Sequence, residues 1–217
     1  MNDSEAAKIH QKVFLEELKA RKEPYIVTVQ GVDITVNPGV FPPTTDSYLL
    51  AVHIRSRSGD RVLDLTTGSG VFGVIAGLQG ASGLAVDLNP ASVANANENF
   101  ERFAVNFKAI TSDLFEKVPK EKFDQILVNG PYTEGEVIDP LQLAFYGARN
   151  YLTRFYSCAA DYLKPDGKVL ITFADWGEVD FLQNTAKTNR FYLKVIGKKK
   201  SDTSDRIYTL YEARFKD

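Results

Sequence analysis

Short apolar runs alternate with helix-length stretches from Arg61 onward, and this alternation limits the fold more than any other feature of the sequence. Strands joined through helices form right-handed crossovers, so the pattern predicts a mostly parallel sheet covered on both faces. The predicted strands are 61–65, 83–87, 107–111, 124–129, 168–174, 191–197 and 206–214. The predicted helices between them are 71–79, 91–103, 144–163 and 178–188. We predict an α/β fold with one doubly wound, seven-stranded sheet, to which a final hairpin adds an antiparallel strand at the edge.

A helix and a hairpin are predicted ahead of this region. Apolar residues recur at helical spacing within residues 4–22, and Pro24 ends that helix. The residues that we expect to face the rest of the protein are Ile9, Val13, Phe14 and Leu18. Two short β runs, 25–29 and 32–36, flank a Gln-Gly pair and therefore predict a tight turn.

One more helix, residues 47–57, is predicted after a proline-rich loop, with Asp46 placed to cap its first turn. The chain is long enough for one domain with a substantial core. We therefore divide it into a helix and hairpin extension, residues 1–37, and a main domain, residues 38–217. The extension either covers a binding site or only packs on the domain.

The net charge and the scarcity of metal-binding residues disfavour several classes of function. A net charge of -2 and an isoelectric point near 5.8 give no broad basic surface, so a small molecule or a protein is a better substrate than nucleic acid. One cysteine, Cys158, and two histidines do not make a usual zinc site, so no metal is expected. The N-terminal residues are charged and no apolar run reaches membrane-spanning length, so we expect a cytoplasmic protein.

Glycines follow the first strand of the predicted sheet. In an open α/β sheet, ligands bind beyond the carboxyl ends of the strands, where the strand order reverses. Gly68 and Gly70 let a ligand approach the backbone there, and a helix that begins near Val71 directs free N–H groups at it. The stretch from Gly68 to Gly73 matches the dinucleotide fingerprint, which alone is weak evidence.

Polar residues close four successive strands and are hard to explain by packing; they are Asp64, Asp87, Asp113 and Asn129. Asp87 can accept hydrogen bonds from both hydroxyls of a ribose. Asp113 can accept one from an adenine amino group, with Leu114 or Phe115 covering the ring. Asp64 favours a ligand with an ammonium or sulfonium group over one with a pyrophosphate. The pattern therefore fits S-adenosylmethionine better than NAD.

Five segments between residues 36 and 175 resemble class I S-adenosylmethionine-dependent methyltransferases, and most closely the HemK/PrmC-like protein-glutamine methyltransferases. The segments are 36–47, 62–70, 85–90, 112–115 and 126–132. The resemblance implies that the main domain binds S-adenosylmethionine and catalyses methyl transfer. The cofactor-binding residues that it implies are Thr45, Asp46, Asp64, Thr66, Gly68, Gly70, Asp87, Leu88, Asp113, Leu114 and Asn129.

The catalytic residues that the resemblance implies form a motif after the fourth strand, Asn129, Gly130, Pro131 and Tyr132. The Asn129 side-chain oxygen and the Gly130 carbonyl can each accept one hydrogen of an NH2 group, which aims the nitrogen lone pair at the methyl group. Tyr132 can pack against a flat amide or amine. Relatives usually carry Asn-Pro-Pro-Tyr or Asp-Pro-Pro-Tyr. The glycine at position 130 removes the fixed φ angle of proline, so the motif does not determine the identity of the substrate.

These features predict an N-methyltransferase that acts on an amide or amine of a protein, a peptide or a small molecule. Acidic residues in the loop 133–140 favour a neutral or cationic substrate over RNA; they are Glu134, Glu136 and Asp139. Two alternatives keep the cofactor: an rRNA base methyltransferase, and an enzyme that transfers or cyclises the aminobutyrate arm of S-adenosylmethionine. From a different class, an NAD-dependent oxidoreductase would use the stretch from Gly68 to Gly73.

Overall fold

Nine strands and six α-helices are present in the computed structural model, which describes residues 3–138, 140–202 and 204–216. The strands are β1 (Tyr25–Val29), β2 (Val32–Val36), β3 (Arg61–Leu65), β4 (Ser82–Asp87), β5 (Phe107–Thr111), β6 (Phe123–Val128), β7 (Leu163–Ala174), β8 (Phe191–Lys200) and β9 (Ile207–Phe215). The helices are α1 (Asp3–Ala20), α2 (Thr45–Ala51), α3 (Val71–Leu78), α4 (Pro90–Arg102), α5 (Ala148–Ala159) and α6 (Val179–Thr188). None of the helices in these three ranges combines the length and the hydropathy that crossing a bilayer requires. Asp139, in the predicted acidic loop, lies outside the described residues.

The order of the strands across the central sheet is β5-β4-β3-β6-β7-β9-β8. The pairs from β5 to β7 are parallel, whereas β9 is antiparallel to both β7 and β8. This arrangement confirms the predicted doubly wound, mostly parallel sheet. The antiparallel strand is not at the edge, as predicted, but one place inside it. After β7 the chain crosses through α6 and leaves one strand position beside β7 empty, so β8 forms the edge of the sheet. β9 then fills the empty position between β7 and β8.

Helices cover both faces of this sheet, which explains why its inner strands are apolar runs. Side chains of β3 alternate between the faces: Leu63 and Leu65 join the core beneath α5 and α6, whereas Val62 joins the core beneath α2, α3 and α4. The strand order reverses at β3, because β4 and β5 lie on one side of it and β6 and β7 on the other. A crevice at the carboxyl end of β3 follows from this reversal.

The inward face of α1 differs from the predicted one. Ile9 and Val13 are 51% and 49% exposed, whereas Leu18, as predicted, and Leu15 are buried. Phe14 is half-buried in an aromatic cluster above the candidate site described below. This aromatic contact, and not the apolar stripe alone, sets the rotation of the helix.

The hairpin of β1 and β2 has the predicted bounds and is docked on α4. Asn95 and Asn99 on α4 are fully buried, and their Nδ2 groups donate to the Thr35 carbonyl at 3.0 and 2.8 Å. Val29 and Ile34 of the hairpin belong to the same apolar core as α2 and α3. The hairpin therefore shares a core with the main domain, and the boundary at residue 37 stays a prediction.

Two predicted helices are shorter in the structure. Thr44, and not Asp46, is the N-cap of α2, and its N–H group donates to the Ser47 hydroxyl at 3.2 Å. α5 begins only after Gly147, which has a left-handed φ of 90°. A turn of 3-10 helix, Ala160–Tyr162, replaces the predicted end of this helix and leads into β7.

The substitution Gly73→Ala tests the close packing of α3 on α4. A Cβ atom at position 73 would lie 2.7 Å from the Phe100 ring. Helix propensity favours alanine by about 1 kcal/mol, whereas overpacking costs roughly 1–3 kcal/mol. We expect a lower free energy of unfolding by urea denaturation, and partial recovery when Phe100→Leu is added. A Gly73→Ala protein that is more stable than the parent would contradict this packing.

Candidate active site

A cavity of about 1070 Å³ opens at the carboxyl ends of β3, β4, β5 and β6. Its volume is at the upper end of the usual range for ligand sites, enough for a nucleoside cofactor together with part of a substrate. The predicted site residues that line it are Thr45, Asp46, Thr66, Gly68, Asp87, Leu88, Asp113, Leu114, Asn129, Gly130, Pro131 and Tyr132. Asp64 and Gly70 were also predicted, and they lie outside this lining.

The loop after β3 forms one wall of the cavity. Thr66, Gly68 and Gly70 all have left-handed backbone angles, with φ values of 69°, 54° and 84°. The Thr66 N–H group donates to the Val86 carbonyl at 2.9 Å, which ties the loop to β4. A Cβ atom at position 70 would lie 3.0 Å from the Phe100 ring, so the second glycine allows the loop to pack on α4.

Asp64 lies beneath this loop, with a fully buried side chain. One carboxyl oxygen accepts hydrogen bonds from the Thr67 hydroxyl at 2.6 Å and from the Gly73 N–H group at 3.2 Å. Burial raises the pKa of the Asp64 carboxyl to about 7, although these two hydrogen bonds act in the opposite direction. The side chain of this strand residue turns under the start of α3 and away from the cavity. It therefore supports the loop, and direct contact with a ligand stays a prediction.

Asp87 closes β4 and faces the cavity with a partly exposed carboxylate. Its two oxygens accept hydrogen bonds from the N–H groups of Gly68 and Asn89, both at 2.9 Å. Burial raises the pKa of this carboxyl, and these N–H groups oppose the rise. Leu88, which is 49% exposed, supplies an apolar surface beside it. A carboxylate with an apolar neighbour suits a ribose that carries a flat base.

Asp113 is held by an arginine that the sequence analysis did not single out. Arg154 of α5 donates through Nη1 to both Asp113 oxygens, at 2.8 and 3.0 Å. Leu114, at a left-handed φ of 50°, lines the cavity. Phe115 instead stacks on Tyr162 in the core, with ring centroids 4.6 Å apart. Of the two residues predicted to cover an adenine ring, only Leu114 lies at the cavity.

Asn129 follows β6 and is fixed by three side chains. Its Oδ1 atom accepts hydrogen bonds from the Thr172 hydroxyl, at 2.7 Å, and from the Tyr132 hydroxyl. Its Nδ2 group donates to the Ser47 hydroxyl at 3.1 Å. The Asn129 backbone carbonyl accepts from the Thr66 hydroxyl at 3.2 Å, which joins the motif to the loop after β3. The plane of the side-chain amide is thus set by Thr172, Tyr132 and Ser47.

Tyr132 is buried at the base of this cluster. Its hydroxyl has Asp46 Oδ2 at 2.7 Å and Thr172 Oγ1 at 3.1 Å as further acceptors besides Asn129. Burial, with the Asp46 charge as the second cause, raises the pKa of this hydroxyl well above its usual value, so it remains a neutral donor. One hydrogen is therefore shared among three acceptors. Asp46, predicted as a cofactor contact, lies at the end of the cavity that holds the acceptor motif.

α1 covers part of the cavity. This agrees with the first of the two predicted alternatives, in which the N-terminal extension covers a binding site. Phe14 packs edge-on against Phe41 and Phe145, with ring centroids 5.5 and 6.4 Å away, and all three residues line the cavity. Gln11 is buried on the same wall, and within the described residues its Oε1 atom has no hydrogen-bond donor. The helix therefore contributes both apolar and polar surface to the site.

Ser47, Thr172 and Trp176 belong to the site and were not predicted. The sequence did contain a signal for Thr172, because it is the single polar residue in the apolar run 169–174 of β7. The sequence contained no such signal for Trp176, since its position depends on the edge-to-face contact between its ring and the Tyr132 ring, 6.5 Å away.

The substitution Asp64→Asn tests the buried carboxyl. The pKa of Asp64 is about 7 in the folded protein, against an ordinary value of 3.8, so the folded state keeps a proton that the unfolded state releases. Its contribution to stability is fully present below its ordinary pKa and is lost as the pH rises through its folded pKa. As the pH rises between these two values, we expect the free energy of unfolding of the parent to fall by roughly 2–4 kcal/mol relative to that of Asp64→Asn. Denaturation curves recorded without cofactor measure this difference. Parallel pH profiles would show that this carboxyl does not hold the proton.

Comparison with known proteins identifies the family of this chain. The methyltransferase small domain family matches residues 31–193. A protein of Methanocaldococcus jannaschii, assigned as a protein N5-glutamine methyltransferase, is 37% identical over 154 residues, which are 67% of this chain and 78% of that protein. The release factor glutamine methyltransferase of Geobacter sulfurreducens is 29% identical over 175 residues, 70% of this chain and 61% of that protein. The chain thus spans about three-fifths of the length of that enzyme.

Solved structures share the fold. A methyltransferase from Pyrococcus furiosus superposes with a TM-score of 0.66 over 95% of this chain and 98% of that one, at 19% identity. The 16S rRNA N2 G1207 methyltransferase of T. thermophilus, in complex with AdoMet and guanosine, superposes with a TM-score of 0.65 over 89% of this chain and 50% of that one, at 24% identity.

The cavity residues suit S-adenosylmethionine. Asp87 presents a carboxylate that can accept hydrogen bonds from ribose hydroxyls, Leu88 and Leu114 present apolar surface that can pack on a base, and the loop after β3 lines the same cavity. The family match also excludes the oxidoreductase alternative, which gives no role to the motif after β6. The chain therefore belongs to the methyltransferase small domain family and is an S-adenosylmethionine-dependent methyltransferase.

Proposed function

We propose that the enzyme methylates the NH2 nitrogen of an amide or amine, with the side-chain amide of a protein or peptide glutamine as the first candidate. The observation that carries this proposal is the Asn129 side chain, whose carbonyl oxygen is held at the cavity by Thr172 and Tyr132. The names of the relatives from M. jannaschii and G. sulfurreducens support a glutamine acceptor.

Asp87, Leu88, Leu114 and the loop around Gly68 would hold the cofactor. S-adenosylmethionine, when bound, supplies an electrophilic methyl group on a sulfonium. Asp87 would accept hydrogen bonds from the ribose hydroxyls, which are stronger because the acceptor is charged. Asp64, beneath the loop, keeps the backbone around Gly68 in the shape that forms this wall.

The acceptor motif would position the nitrogen. Asn129 Oδ1 can accept a hydrogen bond from one substrate N–H group and the Gly130 carbonyl from the other, which fixes the nitrogen so that its lone pair can face the methyl group. When a substrate N–H group occupies Asn129 Oδ1, the hydrogen of the Tyr132 hydroxyl can go instead to Asp46 Oδ2, 2.7 Å away. Asn129 Oδ1 can thus accept a hydrogen bond from the substrate while the Tyr132 hydroxyl keeps a partner.

The charges around the cavity favour a neutral or cationic acceptor. The acidic side chains that line it are Glu17, Asp46, Asp87, Asp113 and Asp202. Of the two basic ones, Arg154 is paired with Asp113, and Arg206 lies over the Trp176 ring, 4.6 Å from its centroid. An RNA phosphate would meet net repulsion here, which favours a protein over the rRNA alternative.

The class of acceptor and the role of Asn129 can be tested together. Labelled S-adenosylmethionine is added with the enzyme to an extract, which is then treated with protease or with ribonuclease. We expect label that protease releases, and at least a hundredfold less label with Asn129→Ala, because the nitrogen loses its positioning group. The affinity of this variant for S-adenosylhomocysteine, measured by calorimetry, should stay within about threefold of the parent. Label released by ribonuclease, or full labelling by the variant, would refute the proposal.

The role of Asp87 can be tested by binding alone. We expect Asp87→Ala to weaken S-adenosylhomocysteine binding more than about tenfold, because two charge-assisted hydrogen bonds are lost. Asp166→Asn is a suitable control, since Asp166 is exposed and is not among the cavity residues. Equal affinity of the Asp87→Ala variant and this control would show that the ribose lies elsewhere.

A further inference from the structure

Tyr151 is a cavity residue that neither the motifs nor the proposed function uses. It lies in the first turn of α5, and its ring stacks on Phe155 with an interplanar angle of 4°. Its hydroxyl is buried and, across the residues described, has no hydrogen bond of normal geometry. Thr66 faces this hydroxyl from the loop after β3, and the Thr66 hydrogen is directed to the carbonyls of Leu65 and Asn129. Because no acceptor meets the Tyr151 hydroxyl at normal hydrogen-bond geometry within the described residues, its hydrogen can be donated to a ligand.

Gly130 makes room for this ring. A Cβ atom at position 130 would lie 2.7 Å from Tyr151 Cζ and 3.1 Å from its hydroxyl oxygen. A residue with a Cβ atom at position 130 therefore requires the Tyr151 ring to leave its present position. The departure of this chain from the usual Asn-Pro-Pro-Tyr motif and the presence of a tyrosine at position 151 are thus two parts of one arrangement.

The position of the Tyr151 hydroxyl indicates which part of a ligand it meets. It lies beside Thr66 at the end of β3 and beside Gly130 past the end of β6, which are neighbouring strands. Asp87, the ribose residue, closes β4 on the other side of β3, and Leu114 lies farther out, after β5. A nucleoside that runs from Leu114 to Asp87 therefore places its amino-acid arm at β3 and β6.

We propose that the Tyr151 hydroxyl donates a hydrogen bond to the carboxylate of the amino-acid arm of the bound cofactor, and that Gly130 is required for the ring to reach it. The proposal rests on the cofactor of the proposed function and is independent of the methyl acceptor. A carboxylate is the strongest hydrogen-bond acceptor on that arm.

The surroundings of Tyr151 keep its hydroxyl protonated. Burial is the largest cause that raises its pKa above the usual value, and the charges of Asp87 and Asp64 act in the same direction. Thr66, which faces it from the loop, opposes the rise. The group is consequently a donor throughout the working pH range of the enzyme.

Tyr151→Phe removes the hydroxyl alone, and Tyr156→Phe is a matched control. Tyr156 lies on the same helix, and its hydroxyl is also buried without a hydrogen bond among the described residues, but it is not a cavity residue. We expect Tyr151→Phe to weaken S-adenosylhomocysteine binding by roughly five- to twentyfold in calorimetry, with no loss in melting temperature, and Tyr156→Phe to leave binding unchanged. Parental affinity in Tyr151→Phe would overturn the proposal.

Methylthioadenosine separates the two ends of the ligand, because it lacks the amino-acid arm. We expect Tyr151→Phe to bind it as the parent does, and an equal loss for both ligands would overturn the assignment to the carboxylate. A parent protein that binds neither ligand would instead contradict the cofactor assignment itself.

The coupling with Gly130 is tested by a double-mutant cycle. Gly130→Ala should lower the melting temperature by roughly 2–8 °C and weaken S-adenosylhomocysteine binding, because the ring is displaced. Adding Tyr151→Ala should recover most of the melting temperature without recovering the affinity. Additive effects on the melting temperature would show that the two residues do not share this space.

Discussion

The loop after β3 is held by two aspartates, and the geometry of the whole site depends on that hold. Asp64 binds the loop from below, through Thr67 and the first turn of α3, while Asp87 accepts the Gly68 N–H group from the side. The loop needs such support because Thr66 has a φ of 69°, which an ordinary side chain disfavours. The same carboxylate faces the cavity, so the proposed ribose contact of Asp87 would link the shape of the wall to the binding of the cofactor.

At the other end of the cavity the controlling rule is that buried polar groups need partners. Asn129, Thr172 and Tyr132 satisfy one another, and the tyrosine keeps an alternative acceptor in Asp46. Such a cluster is rigid but not saturated, because one hydrogen serves three acceptors. The Tyr132 hydrogen can move from Asn129 to Asp46, which frees an acceptor position on Asn129 without leaving the tyrosine unpaired. A cluster with one partner for every atom would have to lose a hydrogen bond instead.

The bounds of β3, β4, β5 and β6 could be predicted to within one residue, because strands buried on both faces are uninterrupted apolar runs, whereas β7 begins five residues before its predicted start. The residues that close them, such as Asp87 and Asn129, followed from those bounds. Side-chain direction could not be predicted in the same way. Asp64 also stands near the end of a strand, yet it turns beneath the loop, because the path of the loop and the start of α3 decide where its oxygens find donors. The outward placing of Ile9 has a similar cause, since the orientation of α1 depends on aromatic contacts with distant segments.

Gly130 shows how a local change in a motif is balanced by a residue on another element. A proline at this position would stiffen the loop through its own ring. In this chain the stiffness comes from packing instead, because Tyr151 fills the space beside the glycine and is itself fixed by stacking on Phe155. The motif after β6 is consequently tied to the first turn of α5, and that turn becomes part of the wall that a ligand meets. A site built in this way responds to substitutions on α5, such as those of Tyr151, although α5 lies outside the motif in the sequence.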